Sequence, residues 1–381
     1  MTGRIDVARP WLGAEESEAV AAAIASGWVA QGPRVAEFEE RFAELVDARQ
    51  AVALSSCTAA LHLALAVADI GRGDEVIVPS LSFIATANAP TYVGARPIFA
   101  DVEPTTGNLT VETIEAVCSR ATRAVILVHQ AGVPADIAAV REFCAQRDIL
   151  VIEDAACAVG STYRGQPVGS GAAVAAWSFH PRKLITTGEG GMLTTDDAAW
   201  AARARRLREH AMSVSAAQRH TRALAPAEEY LEVGYNYRMT DVQAAIGIIQ
   251  LDRLPAILAR RRELAGRYQE ALAGVDGLRC VADPPYGQTN YQSFWIELAA
   301  GFALDREALL EHLALRGISA RRGIMAAHRQ PAYGHRYPVS LPITERLTDR
   351  TLVLPVFHQL SADDQDRVIG AVRAASGQIA A

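Results

Sequence analysis

Between residues 51 and 152 the chain repeats one alternation, and that alternation confines it to few folds. Residues 51–54, 75–78, 97–99, 124–128 and 149–152 are short apolar runs that end at turn or acidic residues. Helical spacing fills much of the chain between them, at 58–68, 83–92 and 136–146. Strands separated by about ten to fifteen helical residues are βαβ units, and such units build a largely parallel sheet. Strands without polar alternation are covered on both faces, so helices must lie above and below the sheet.

The flanks read differently. Ala14–Ala25 is a helix with acidic residues in its first turn, where the helix dipole favours them. A second helix follows Gly32-Pro33, with Val35, Phe38, Phe42 and Leu45 at helical spacing. Residues 240–273 read as one long helical stretch, interrupted at Pro255 and ended by Gly274. After the passage Asp283-Pro284-Pro285-Tyr286-Gly287 come a strand at 293–298 and a helix at 305–316. The expected organisation is a large domain over 1–250 and a smaller C-terminal α/β domain over 251–381.

Composition narrows the class. Half of the 381 residues are hydrophobic and 21% are charged, which suffices for a full core. Lys and Arg total 37 against 43 Asp and Glu, a net charge of −6, whereas nucleic-acid binders are basic. No uninterrupted apolar run reaches the roughly 18 residues of a membrane span. The start, MTGRIDVARPWLG, lacks a charged head followed by an apolar stretch, so the expected compartment is the cytoplasm. Cys57, Cys118, Cys144, Cys157 and Cys280 are odd in number, scattered and without a C-x-x-C pair. That argues against a disulfide framework or zinc knot and fits a reducing compartment. The histidines show no paired spacing for a metal.

Three segments place polar residues at the C-terminal end of a strand, the edge where open α/β sheets bind ligands. In Ile149-Leu150-Val151-Ile152-Glu153-Asp154 a buried strand ends in a carboxylate, which either faces a site or caps a helix. In the run from Trp177 to Gly191, Lys183 is followed by Leu184 and Ile185 and then a Thr/Gly-rich turn. Desolvation lowers a lysine's pKa and frees its amine to condense with an aldehyde; a plain surface lysine is the alternative. In Ser55-Ser56-Cys57-Thr58-Ala59-Ala60-Leu61 small residues lead from a strand into a helix, whose start offers free N–H groups to a phosphate or is simply capped by Ser56 or Thr58. Together the three meet one need. A pyridoxal phosphate enzyme requires a lysine for the aldehyde, a carboxylate facing the pyridinium nitrogen and a helix start for the phosphate.

The stretches SGWVAQGPRVAEFEERF, SSCTAALHLAL, DEVIVPSLSFIATANA, VIEDAACAVGSTYRG, SFHPRKLITTGEGGMLTT and GYNYRMTDVQAAIG resemble the DegT/DnrJ/EryC1/StrS family of sugar aminotransferases, over nearly the whole chain. The resemblance implies the aspartate-aminotransferase-like fold (fold type I), with a mostly parallel seven-stranded sheet and pyridoxal 5'-phosphate as cofactor. It makes Lys183 the attachment lysine and proton shuttle, and Asp154 the pyridinium partner. Thr58, Ala59 and Ser178 match the phosphate site. Phe83 matches the aromatic stacked on the ring. Asn236, and with it Arg238, lies in the segment that relatives push into the neighbouring subunit's active site, which implies a homodimer with shared sites. Cys57 stands where relatives usually carry Gly. Cys157, beside the ring oxygen and the lysine, replaces their Gln or His and is a weaker hydrogen-bond partner. His180 positions substrate or packs its loop, His328 falls in a motif near the substrate mouth, and Arg321 and Arg322 could meet a nucleotide diphosphate or stay solvated.

The implied reaction moves an amino group from L-glutamate to a nucleotide-linked 4-keto-6-deoxy sugar, in amino-sugar biosynthesis. SFHPRKLITTGEGG resembles the group aminating carbon 4 more than the group aminating carbon 3. A keto-cyclitol or aminohydroxybenzoate-type precursor is the alternative substrate. A dehydratase of this fold would carry His at the lysine position, so Lys183 opposes that reading. A non-catalytic regulator on the same fold has no DNA-binding segment to support it.

Overall fold

The computed structural model describes residues 3–214 and 227–377. The large sheet contains β1 (Gln50–Leu54), β2 (Glu75–Pro79), β3 (Arg96–Ala100), β4 (Thr122–Val128) and β5 (Leu150–Asp154). After two short strands, β6 (Thr162–Tyr163) and β7 (Gln166–Pro167), it is completed by β8 (Val174–Ser178) and β9 (Gly191–Thr195). Its seven strands run in the order β1-β9-β8-β5-β4-β2-β3. Neighbours from β3 through β8 pair parallel, and β9 is antiparallel to both β8 and β1.

Period-two alternation decides what each face buries. Val76, Val78, Ala124 and Ile126 pack with the helices Cys57–Val67, Ile84–Tyr92 and Ala198–Leu207 on one face. Ile77, Val125 and Leu127 pack on the other, with Phe38 and Phe42 of Pro33–Leu45, Val140 of Ile137–Ala145 and Ile248 of Asp241–Leu272. Both faces are covered, as the unalternating strands require.

Asp241–Leu272 runs unbroken through Pro255, which corrects the expected interruption. Proline removes one ladder hydrogen bond, but the flanks hold the helix in line. Arg253 Nε donates to Glu16 Oε1 of Ala14–Ala25 at 2.7 Å, and Leu251, Leu254 and Ile257 are buried. In length and composition this helix is apolar enough to cross a membrane, yet those side chains lie inside the protein. Its first residue, Asp241, also caps a neighbour, accepting the N–H groups of Gly32 (2.7 Å), Val35 (3.0 Å) and Arg34 (3.1 Å) at the start of Pro33–Leu45.

The far half of the same helix contributes Leu264, Tyr268 and Leu272 to another core. There a four-stranded antiparallel sheet runs β10-β12-β14-β13, from β10 (Leu278–Cys280), β12 (Phe294–Leu298), β13 (Arg321–Arg322) and β14 (Thr351–Leu354). Helices Arg306–Ala314 and Ala362–Ala375 complete that core. The strand β11 (Gly287–Gln288) joins β6 and β7 in a small third sheet.

Candidate active site

The strands β1, β2, β4, β5 and β8 point the same way, so the residues that follow them converge at one sheet edge. They line a cavity of about 620 Å³, closed from the opposite side by Trp295, Val353 and Arg321 of the four-stranded sheet.

At one end is the start of Cys57–Val67. Ser56 caps it, its Oγ accepting the Ala59 N–H at 3.1 Å. The N–H groups of Cys57 and Thr58, in the first turn, have no intrahelical acceptor and carry the positive end of the dipole. Ser178, at the end of β8, lines the cavity as well. The two anchors meet because Gly191 has no side chain. A Cβ there would sit 2.3 Å from the Ser56 carbonyl carbon and 2.4 Å from the Cys57 nitrogen.

Asp154 ends β5 and is 5% exposed. Its Oδ2 accepts from Thr86 Oγ1 at 2.9 Å, and Oδ1 accepts the Ala156 N–H at 3.2 Å. Ser82 Oγ lies 2.7 Å from Thr86 Oγ1 and completes the chain of hydroxyls. Burial pushes the Asp154 carboxyl above the usual carboxylate range, against the pull of Thr86, Ala156 and Lys183. Glu153, one residue earlier, faces the other side of the sheet. Its Oε2 lies 3.2 Å from His129 Nε2, and Arg141 bonds its Oε1. Because His129 Nδ1 accepts the Ala135 N–H, Nε2 carries the proton and donates. Burial raises the Glu153 carboxyl, but His129 and Arg141 outweigh it and hold it low. Adjacent carboxylates thus differ in kind: one is held by the Arg141 guanidinium and the His129 ring N–H, and the other faces the cavity without an ion-pair partner among the described residues.

Lys183 sits on the connection from β8 to β9. Leu184 and Ile185 are buried and anchor it. Thr186 Oγ1 donates to the Phe179 carbonyl at 2.8 Å, and Thr187 Oγ1 to the Glu189 carbonyl at 2.7 Å. The threonines of ITTGEGG therefore tie the loop to itself. Lys183 Nζ donates to Cys157 Sγ at 3.1 Å. Burial pulls the ammonium down, but Cys157, Cys57 and Asp154 outweigh it and hold it above the ordinary lysine value. This reverses the direction expected from desolvation alone, because the hydrogen bond to Cys157 and the nearby Asp154 carboxyl favour the ammonium.

Cys57, Thr58, Phe83, Asp154, Cys157, Ser178, His180 and Lys183 all line the one cavity. Phe83 is 62% exposed, an aromatic face left open inside a site. Ala59 does not line it, and its amide is taken by Ser56. Asn236 is exposed and outside the cavity lining, as is half-buried Arg238, whose backbone bridges Leu54. His328 lies outside it too, buried, with Nδ1 2.6 Å from Ser80 Oγ and Nε2 3.3 Å from Glu345.

Three residues were not picked out from sequence. Thr86 sits four residues after Ser82, one helical turn away, and that spacing was the available signal. Asn290 and Gln292 come from a distant loop and left none. Asn290 Nδ2 donates to the Cys157 and Val159 carbonyls, both at 2.8 Å, and Gln292 Nε2 to the Arg182 carbonyl at 2.8 Å. They brace the two loops that carry Cys157 and Lys183.

These residues fit pyridoxal phosphate. Among the described residues a buried carboxylate has no ion-pair partner, an amine faces the same cavity, a helix start offers amides with no bond, and an aromatic face stands open.

Comparison with known proteins gives the same answer. A family model described as the DegT/DnrJ/EryC1/StrS aminotransferase family matches residues 10–373. The aminotransferase TlmJ from Streptoalloteichus hindustanus is 39% identical, with a TM-score of 0.90 over 97% of this chain and 98% of its own. The sugar aminotransferase Spr1654 from Streptococcus pneumoniae, solved in its PLP form, is 27% identical, with a TM-score of 0.89 over 99% and 100%. DesI, solved in the presence of its TDP-sugar product, is 32% identical, with a TM-score of 0.89 over 99% and 94%.

Proposed function

This chain belongs to the DegT/DnrJ/EryC1/StrS aminotransferase family and is a pyridoxal phosphate-dependent aminotransferase, and from that premise we propose that it moves an amino group from L-glutamate to a nucleotide-linked 4-keto-6-deoxy sugar. The observation that carries the reading is the cavity itself. It holds Lys183 and Asp154 at its floor and is wide enough, at about 620 Å³, for more than the cofactor. DesI, alike over nearly its full length, was solved with a TDP-sugar product.

When bound, the cofactor supplies an aldehyde for the migrating amine and a ring that takes up the electron pair left by a departing proton. The protein supplies the rest. Lys183 Nζ would hold the cofactor and, as a free amine, would move the proton at the substrate carbon. Asp154, as a carboxylate, would face the ring nitrogen and favour its positive form. Thr86 and Ser82 keep that carboxylate aimed. Phe83 would cover a face of the ring. The amides of Cys57 and Thr58, with Ser178, would hold the phosphate.

The active unit in this reading is a homodimer. Asn236 and Arg238 lie outside their own chain's cavity and would reach the partner's. The apolar side chains Tyr230, Leu231 and Val233, just before them, are exposed on a single chain, which is how an interface looks before its partner is added.

The direct test offers the purified enzyme L-glutamate with candidate ketones and follows 2-oxoglutarate. Sustained release with a nucleotide-linked 4-keto-6-deoxy sugar is expected. Release only with a 3-keto sugar or a keto-cyclitol would overturn the substrate while leaving the family intact.

A further inference from the structure

The adjacent arginines Arg321 and Arg322 occupy β13, the edge of the four-stranded sheet, and strand geometry separates them. Successive side chains on a strand point to opposite faces. Arg321 stands in register with Val353, which pairs with Trp295, and all three line the cavity. Arg322 lines the cavity too, but it is in register with Leu352, which pairs with Ile296 in the core behind the sheet. Arg322 turns to Glu307 of Arg306–Ala314, with Nε 2.9 Å from Oε1 and a second bond from Nη2. Arg321 has no ion-pair partner among the described residues.

Arg182 is the second unmatched cation. Its backbone is held on both sides, the N–H donating to His180 Nδ1 at 3.2 Å and the carbonyl accepting from Gln292 Nε2 at 2.8 Å. Its side chain is exposed, lines the cavity and has no ion pair among the described residues. His180 stands close to both arginines and faces Glu189 across 3.9 Å.

The cavity's charges can be matched one against another. Asp154 and Lys183 are taken up by the cofactor, Glu189 faces His180, and Arg322 is answered by Glu307. Arg182 and Arg321 remain, two positive charges on exposed side chains at the mouth. Both the sugar and the amino donor must place their reacting carbon at Lys183, so a charge held at the mouth belongs several bonds from that carbon. The diphosphate linking a sugar to its nucleoside has that position, two negative charges, and oxygens that guanidinium forks grip in pairs.

Resting on the nucleotide-sugar reading, we propose that Arg182 and Arg321, and not Arg322, form the clamp that binds the substrate's diphosphate. The test is titration calorimetry of the cofactor-loaded enzyme with thymidine and uridine diphosphates, and with the matching nucleosides as controls. Wild type is expected to bind at least one diphosphate, more weakly as salt rises, and its nucleoside far more weakly. Arg182→Ala and Arg321→Ala should each weaken diphosphate binding at least tenfold. Arg321→Lys should fall between, and Arg322→Ala should stay within about twofold of wild type. The visible cofactor band should persist in every variant, which separates loss of the clamp from loss of the fold.

Undiminished diphosphate binding in both alanine variants would overturn the clamp while the nucleotide-sugar reading stands. Loss confined to Arg322→Ala would overturn the strand-face assignment. A rise in the glutamate concentration needed to bleach the cofactor band, with unchanged diphosphate affinity, would assign the arginines to the donor carboxylates and overturn the proposal. If wild type binds neither diphosphate yet aminates a ketone without a nucleotide, the substrate reading itself fails.

Discussion

Asp154 costs stability in the service of function. Its carboxyl is raised by burial, so without cofactor the folded chain binds that proton more tightly than the unfolded chain does. Stability from this group is therefore greatest below the unfolded carboxylate pKa and falls as pH rises through the raised folded value. Asp154→Asn removes the penalty. We expect the cofactor-free variant to melt about 2 °C above wild type at neutral pH, the scale of a 1 kcal/mol gain in a chain this size. The same change should lower turnover about 10²–10³-fold, the usual loss when a preorganised charge is removed. Differential scanning calorimetry of the two cofactor-free proteins from pH 4 to 8 checks the first effect, and a melting difference that grows toward acid would refute it. Asp154 was legible from sequence because an apolar strand ended in an acid at a ligand-binding edge. Its roles as site residue or helix cap stayed open there, because nothing local reveals that Glu153 is the carboxylate with protein partners. His129 and Arg141, which settle the difference, come from other elements.

The elements themselves were readable wherever period and punctuation agreed. The strands β1 to β5, the helices read at 58–68, 83–92 and 136–146, and the long helix from Thr240 onward came out within a residue or two. Pro255 misled because local propensity is overruled where buried neighbours and ion pairs hold a helix on both sides. The small strands β6, β7, β10, β11 and β13 were missed because two or three residues carry no period, and β8, β9 and β14 were not read as strands either. Gly191 shows how much one position can fix at this scale. Gly191→Ala would drive a methyl group into the Ser56–Cys57 backbone, and backbone cannot yield as a flexible side chain does. We expect the variant to fold and keep Lys183 reactive but to bind the cofactor at least tenfold more weakly, with pyridoxal, which lacks the phosphate, much less affected. Fluorescence titration with the two compounds checks this, and an equal loss for both would count against a phosphate cup at this helix.

At the scale of the whole molecule, one chain accounts for the floor and roof of the site but leaves Asn236 outside its own cavity. The homodimer reading makes this quantitative. Lys183→Ala and Asn236→Ala should each be nearly inactive alone, while the heterodimers should recover up to about half of wild-type activity, since one of their two sites is intact. Refolding differently tagged variants together and assaying the doubly tagged fraction measures it, and absence of recovery would sink the shared site. Only the family resemblance suggested a partner for these residues, because a segment that serves another chain satisfies no pattern in its own. A last consequence belongs to the backward-running strand β9. Ser178 and Gly191 are opposite one another in its pairing with β8, so the span from Lys183 to the helix proposed to take the phosphate is set by one hairpin, as the gap of a caliper is set by its screw. Adding or deleting a single residue between Phe179 and Gly190 would change that gap, and a vitamin of fixed length could then touch one jaw or the other but not both.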